Sequence, residues 1–237
     1  MTGEEVFRSG TLEMSAQPWD GLAQAPVWTD FATNRILCLV AVVLMVANLL
    51  DYFRLMPSLL FCFDRSRGAE TLEHSLGLAR VRNLSGIIYG LPFCLILDRF
   101  GVVRPDFWDR IPPAWQAVAM IGLMAAFMFV RDLCYLFFRP RRVSGEPFAA
   151  LRHNVFNYIL VLVPLLLVTV AGLTVFHVPQ QLATCLLAGE IALVWLFGLT
   201  RSAQILRNRC SGLSTFLYLC ALEFLPAAIL VAVVLTF

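Results

Sequence analysis

Two carboxylates stand inside apolar runs: Glu190 in LLAGEIALVW and Glu223 in YLCALEFLPA. Glu190 lies eleven residues before Arg201, and Glu223 lies eleven residues after Gly212. At about 1.5 Å of helical rise per residue, each is about 16 Å from the polar loop that separates them. If that loop marks a membrane edge, both carboxylates fall near mid-bilayer, where a charge costs about 3 kcal/mol or more. Each must then be neutral, paired or hydrated. On antiparallel neighbours at similar depth, the two could face one another and share a proton. The chemistry open to such a pair is a proton relay, an ion site or general acid–base work. The plainer alternative is interhelical hydrogen bonding, or pairing with Arg131.

Arg131 precedes Arg139 by eight residues, which places it about 12 Å inside the same edge. It either snorkels outward or turns into the bundle and pairs with Glu190 or Glu223. Asp132 is adjacent in sequence, but neighbouring helical residues point in different directions. Pro92, Pro164 and Pro226 interrupt apolar runs. Each frees the carbonyl one turn earlier, at Ile88, Leu160 and Leu222.

A second group gathers around Arg139, Arg141, Arg142, Arg152, His153 and Asn157. His153 and Asn157 are four apart and share a helix face. With the arginines they are candidates to receive a phosphate-bearing lipid headgroup. The alternative is a solvated helix start followed by one polar packing contact. No phosphate-binding glycine loop, nucleophile elbow or zinc motif occurs. The seven cysteines are unclustered and the three histidines lie far apart, so neither a metal nor another cofactor is expected and no catalytic residue is assigned.

The elements that would carry these residues follow from composition. Of the 237 residues, 59% are hydrophobic and only 14% are charged, against about 25% charged in soluble domains. Mean hydropathy is +0.78. Such a chain cannot cover a water-soluble surface, which excludes a soluble enzyme, a disordered chain and a nucleic-acid binder. All 18 basic residues are arginine, and net charge is only +2.

The expected fold is all-α: a polytopic helical membrane protein with about six transmembrane helices and a short amphipathic interfacial helix. Residues 1–33 read as a polar, acidic tail, without the basic and apolar regions of a signal peptide. Trp19 and Trp28 suggest that parts of it rest at a membrane interface. Residues 34–237 read as the transmembrane domain, with spans at about 36–55, 83–98, 115–138, 155–176, 182–200 and 215–237. The second is the shortest. Leu72, Leu76 and Val81 lie near helical spacing among charges and mark the surface helix. Gly86 and Gly90 form a G-x-x-x-G pair that lets helices approach closely. The loops after spans one, three and five hold 12 arginines against 5 on the other side. By the positive-inside rule both termini then face away from the cytoplasm. No internal repeat is visible, which speaks against an inverted-repeat transporter.

The C-terminal stretch FLYLCALEFLPAAIL carries Tyr218, Leu219, Cys220, Glu223 and Pro226, and VFNYILVLVPLLL carries Asn157 and Pro164. These segments resemble an uncharacterised multi-pass family of Bacteroidota, the domain-of-unknown-function 4271 family. The resemblance implies a bacterial inner-membrane location and transfers no activity. Glu190 and Arg131 match no motif of that family. The expected role is a non-enzymatic subunit or scaffold in an envelope process such as secretion or envelope biogenesis. Its partners would be the lipid bilayer and other inner-membrane or envelope proteins, with no nucleic acid. The alternatives are a proton-coupled carrier using Glu190, Glu223 and Arg131, and an enzyme acting on a lipid phosphate.

Overall fold

A computed structural model describes residues 28–64, 68–138, 145–208 and 210–236. Most of the acidic tail, Trp19 within it, and Arg139, Arg141 and Arg142 lie outside the described residues. The chain is all-α, with no strand among the described residues. A 3-10 turn at Trp28–Asp30 leads into α1 (Ala32–Ala47), α2 (Leu49–Asp64), α3 (Gly68–His74) and α4 (Leu76–Phe100). A second 3-10 turn, Asp106–Arg110, precedes α5 (Pro113–Phe137), α6 (Glu146–Val175) and α7 (Gln180–Arg207). The last span is α8 (Gly212–Leu219), a π-helical turn (Cys220–Phe224) and α9 (Leu225–Thr236).

Five spans are long and apolar enough to cross a membrane: α4, α5, α6, α7 and the composite final helix. A sixth exists if α1 and α2 count as one broken span, bent by 66°. The first span expected at about 36–55 lies across this break. The break falls at Asn48, which is 5% exposed and whose Oδ1 has no hydrogen-bond partner among the described residues.

The region expected to be a surface helix is also rearranged. Residues up to Asp64 continue α2, and α3 is the short helix. Its Leu72 is buried with Cys62, Ala150 and Ile205. Leu76 and Val81 belong to α4, which begins seven residues earlier than the span read at 83–98. Ser75 caps it by accepting from the Leu78 amide at 3.5 Å, and Gly101 ends it in the left-handed conformation at φ +61°. Pro113, at the first turn of α5, suits a position whose amide has no helical partner.

The span that is weakest in sequence is the centre of the bundle. More of α4 is buried than of any other span. Tyr89, Phe93, Cys94, Ile96 and Leu97 of α4 join Leu55 and Leu59 of α2, Met120 of α5 and Leu160, Val163 and Leu166 of α6 in the main core. A helix enclosed by protein can carry polar residues; one facing lipid cannot. The outer helices instead expose large apolar side chains, among them Leu39, Phe129, Val168, Leu193 and Phe216.

Only half of the expected glycine pair serves close approach. A Cβ at Gly86 would overlap the Phe156 ring on α6 and lie 2.9 Å from the Phe156 Cβ, whereas nothing stands within 4 Å of one at Gly90. Gly86→Ala should therefore cost about 1–3 kcal/mol through overpacking, and Gly90→Ala should cost nothing measurable. Thermal unfolding of both variants in one detergent checks this; equal losses would overturn the assignment of the contact to Gly86.

Candidate functional site

Glu223 sits on the π-helical turn, where the Leu225 amide bonds to Cys220 O, five residues back. Pro226 follows and has no amide to donate to Leu222 O. The extra residue in the turn changes the register of the helix face there. From this turn the Glu223 Oε1 receives two donors from α5. Tyr135 Oη donates at 2.6 Å and Arg131 Nη2 at 3.0 Å.

Arg131 is 3% exposed and Glu223 12%. The guanidinium faces the bundle and does not snorkel. Its Nη1 donates to the Arg152 carbonyl on α6 at 2.8 Å. Its Nη2 also lies 3.2 Å from Tyr135 Oη, and its central carbon lies 4.7 Å from the Tyr135 ring centroid. Arg131 and Tyr135 are one turn apart on α5, so their side chains meet. The cluster ties the final span to α5 and α6. Beside it, Asp132 and Arg152 form a bidentate pair at 3.1 and 3.0 Å. Both are nearly half exposed, so this pair contributes at most about 1 kcal/mol. A recess of 400 Å³ opens there, lined in part by Asp132, Tyr135, Phe148 and Arg152.

The two glutamates take different partners. Glu190 reaches the Thr169 hydroxyl on α6, and its Oε1 is buried without a hydrogen-bond partner among the described residues. Thr169 is 17 residues along α6 from Arg152, about 26 Å of helix. Helix length sets much of the separation: α7 continues to Arg207, so Glu190 lies 17 residues from its end, whereas Glu223 lies 11 residues from the start of the final span. Helical side chains also lean toward their own N-terminus, and because α7 runs opposite to the final span the two carboxylates lean away from each other along the bundle.

A second charged cluster was not legible in the sequence. Arg82 of α4 is fully buried, and its Nη1 lies 2.5 Å from Glu73 Oε1 on α3. Its Nε and Nη2 donate to Asn83 Oδ1 at 3.0 and 2.8 Å. His153 Nδ1 lies 3.2 Å from the same Glu73 oxygen. An ionised carboxylate only accepts, so the proton of this contact sits on Nδ1. Burial pushes the Glu73 carboxyl up, but the hydrogen bonds from His153 and Arg82 and the Arg82 charge outweigh it, leaving it below the ordinary carboxylate value. Glu73 and Arg82 lie on different helices, so no fixed spacing announces them. Tyr135, by contrast, stands at the readable i+4 position from Arg131.

The expected headgroup group is divided by the fold. Arg152 engages Asp132, and His153 engages Glu73. Asn157 is 1% exposed, with neither side-chain polar atom partnered among the described residues. Asn154 donates to Ser202 Oγ at 3.0 Å and ties α6 to α7. Among the described residues no three His, Cys, Asp or Glu side chains group to hold a metal ion.

Removing one partner of a buried pair costs about 3–5 kcal/mol, whereas replacing both by apolar residues is often neutral. Glu223→Leu and Arg131→Met should each destabilise strongly, and the double variant should recover most of the loss. Unfolding in detergent checks this; additive losses would show that the two do not act as a pair. Because the Glu73 carboxyl is depressed, its contribution is present above about pH 4.3 and is lost as pH falls through the lower folded value. The stability gap between the native chain and Glu73→Gln should therefore narrow as pH falls below about 4.3. A gap unchanged at pH 3 would refute the coupling.

The chain matches no family model, and no significant match was found among curated proteins or solved structures.

Proposed function

We propose that the chain is a multi-pass protein of a bacterial inner membrane, with both termini away from the cytoplasm, acting as a non-enzymatic scaffold or subunit in an envelope process. The observation that carries this reading is the engagement of Glu223. A carboxylate inside an apolar run is occupied by Arg131 and Tyr135, so it serves as a cross-link between helices. Glu73, Arg82 and His153 are joined to one another in the same way. The resemblance of Phe216–Leu230 to an inner-membrane family and the arginine asymmetry between loops support the location and orientation.

A proton-coupled carrier is the second reading, and it draws on Glu190, whose Oε1 is buried without a partner among the described residues. The discriminating experiment uses the tagged full chain. Mild-detergent capture from native membranes should yield one partner in fixed stoichiometry, and proteoliposomes of the same chain should pass no more protons than empty vesicles. Repeated recovery of bare protein, together with a proton flux abolished by Glu190→Gln, would overturn the scaffold in favour of the carrier.

A further inference from the structure

The end of the bundle where α4 and α6 finish carries a tryptophan group. Asp98 accepts from Trp28 Nε1 at 2.7 Å and lies 3.4 Å from Trp108 Nε1. Its neighbour Arg99 is exposed. The Arg99 guanidinium lies 5.9 Å from the Trp28 ring centroid and 5.8 Å from that of Phe100. The adjacent acid is thus engaged by two indoles, and Arg99 has no carboxylate partner among the described residues.

Below Arg99 runs an apolar cavity of 420 Å³ between α1, α4 and α6, within the range of ligand-binding cavities. Val42 and Val46 form one wall, Leu167 and Val170 the other, and Tyr89 and Ile96 the floor. Val42 and Val46 are more than half exposed, so the cavity opens sideways, toward lipid if the bundle is embedded. From Arg99 to Tyr89 is ten residues of helix, about 15 Å. That is half of the ~30 Å hydrocarbon core, the depth of one leaflet. The far end lies at Leu49, where the 66° bend between α1 and α2 turns the chain. Above, a recess of 220 Å³ shares Arg99 and Phe100 with the cavity and adds Thr174, His177 and Gln180. An apolar slot one leaflet deep therefore leads to a cation and a polar recess.

We propose that this slot holds an anionic phospholipid of the same leaflet, one acyl chain lying between α1 and α6 and the phosphate on Arg99. Chain length selects the class of ligand through the depth of the slot. The guanidinium presents paired donors to phosphate oxygens, and its charge favours a headgroup of net negative charge over one whose phosphate is balanced by a quaternary ammonium. The inference rests on the membrane embedding proposed above.

The test uses the purified full chain in detergent, equilibrated with equal amounts of phosphatidylglycerol and phosphatidylcholine of identical chains. Retained lipid is counted by native mass spectrometry. One phosphatidylglycerol per chain should be retained in preference to phosphatidylcholine. Arg99→Gln should reduce that preference about fivefold, the effect of one basic side chain near an anionic lipid. Val46→Trp, at an exposed wall position, should remove retention of both. Equal retention by the native chain, a preference that survives Arg99→Gln, or retention unchanged by Val46→Trp would each overturn the proposal. Displacement of the phospholipid by equimolar oleate would overturn its assignment to a phospholipid. Failure of the preference in a chain that still requires detergent counts against the lipid site alone; a chain that stays monodisperse without amphiphile counts against the embedding.

Discussion

Taking a carboxylate or guanidinium out of water costs several kcal/mol, and that cost is recovered only when the two meet with good geometry and their remaining polar atoms are satisfied. Arg131 and Glu223 meet this condition at 3.0 Å. Tyr135 supplies a second donor to the carboxylate, and the Arg152 carbonyl takes the guanidinium's other end. These four residues come from three spans, so the final span can be seated in only one rotation about its axis. The π-helical turn and Pro226 belong to the same constraint, because they set the face that Glu223 presents.

The Glu73–Arg82–His153 cluster obeys the same rule at the start of α4. It joins α3, α4 and α6. Together the two clusters join five helices, α3 to α6 and the final span, while the opposite end is organised by indole donors on Asp98. The interior between them is packed mainly by aliphatic and aromatic side chains. Non-directional packing tolerates sliding; directional ion pairs do not. The charged groups therefore set register, and the apolar ones supply cohesion.

The lateral opening between α1 and α6 has a separate origin. Had α1 and α2 formed one straight rod, it would have covered α4 along its length. The bend at Asn48 sends α2 toward the core, where Tyr52 stacks on Tyr89 at 5.0 Å and Leu55 and Leu59 are fully buried. It leaves α1 packed chiefly through Ala41, Cys38 and Leu37 near the tryptophan end. The cavity is the space that this divergence leaves.

The sequence by itself determined the helical class and the positions of the strongly apolar spans, because lipid-facing helices must be apolar on their outer faces and so announce themselves residue by residue. The spans read at 115–138, 155–176 and 182–200 all lie within or close to α5, α6 and α7. Tertiary structure decided what composition cannot encode. Which helix is central was hidden, since α4 is shielded by its neighbours and could keep Arg82, Asn83 and Ser85. Which charges pair was hidden too. In the sequence Arg131 had two candidate glutamates at similar distances from the same loop; in the structure α7 runs on to Arg207, which sets Glu190 deeper beside Thr169, and Arg131 pairs with Glu223. Such pairings depend on rotation and depth between separate helices, and these are set only when the whole bundle packs.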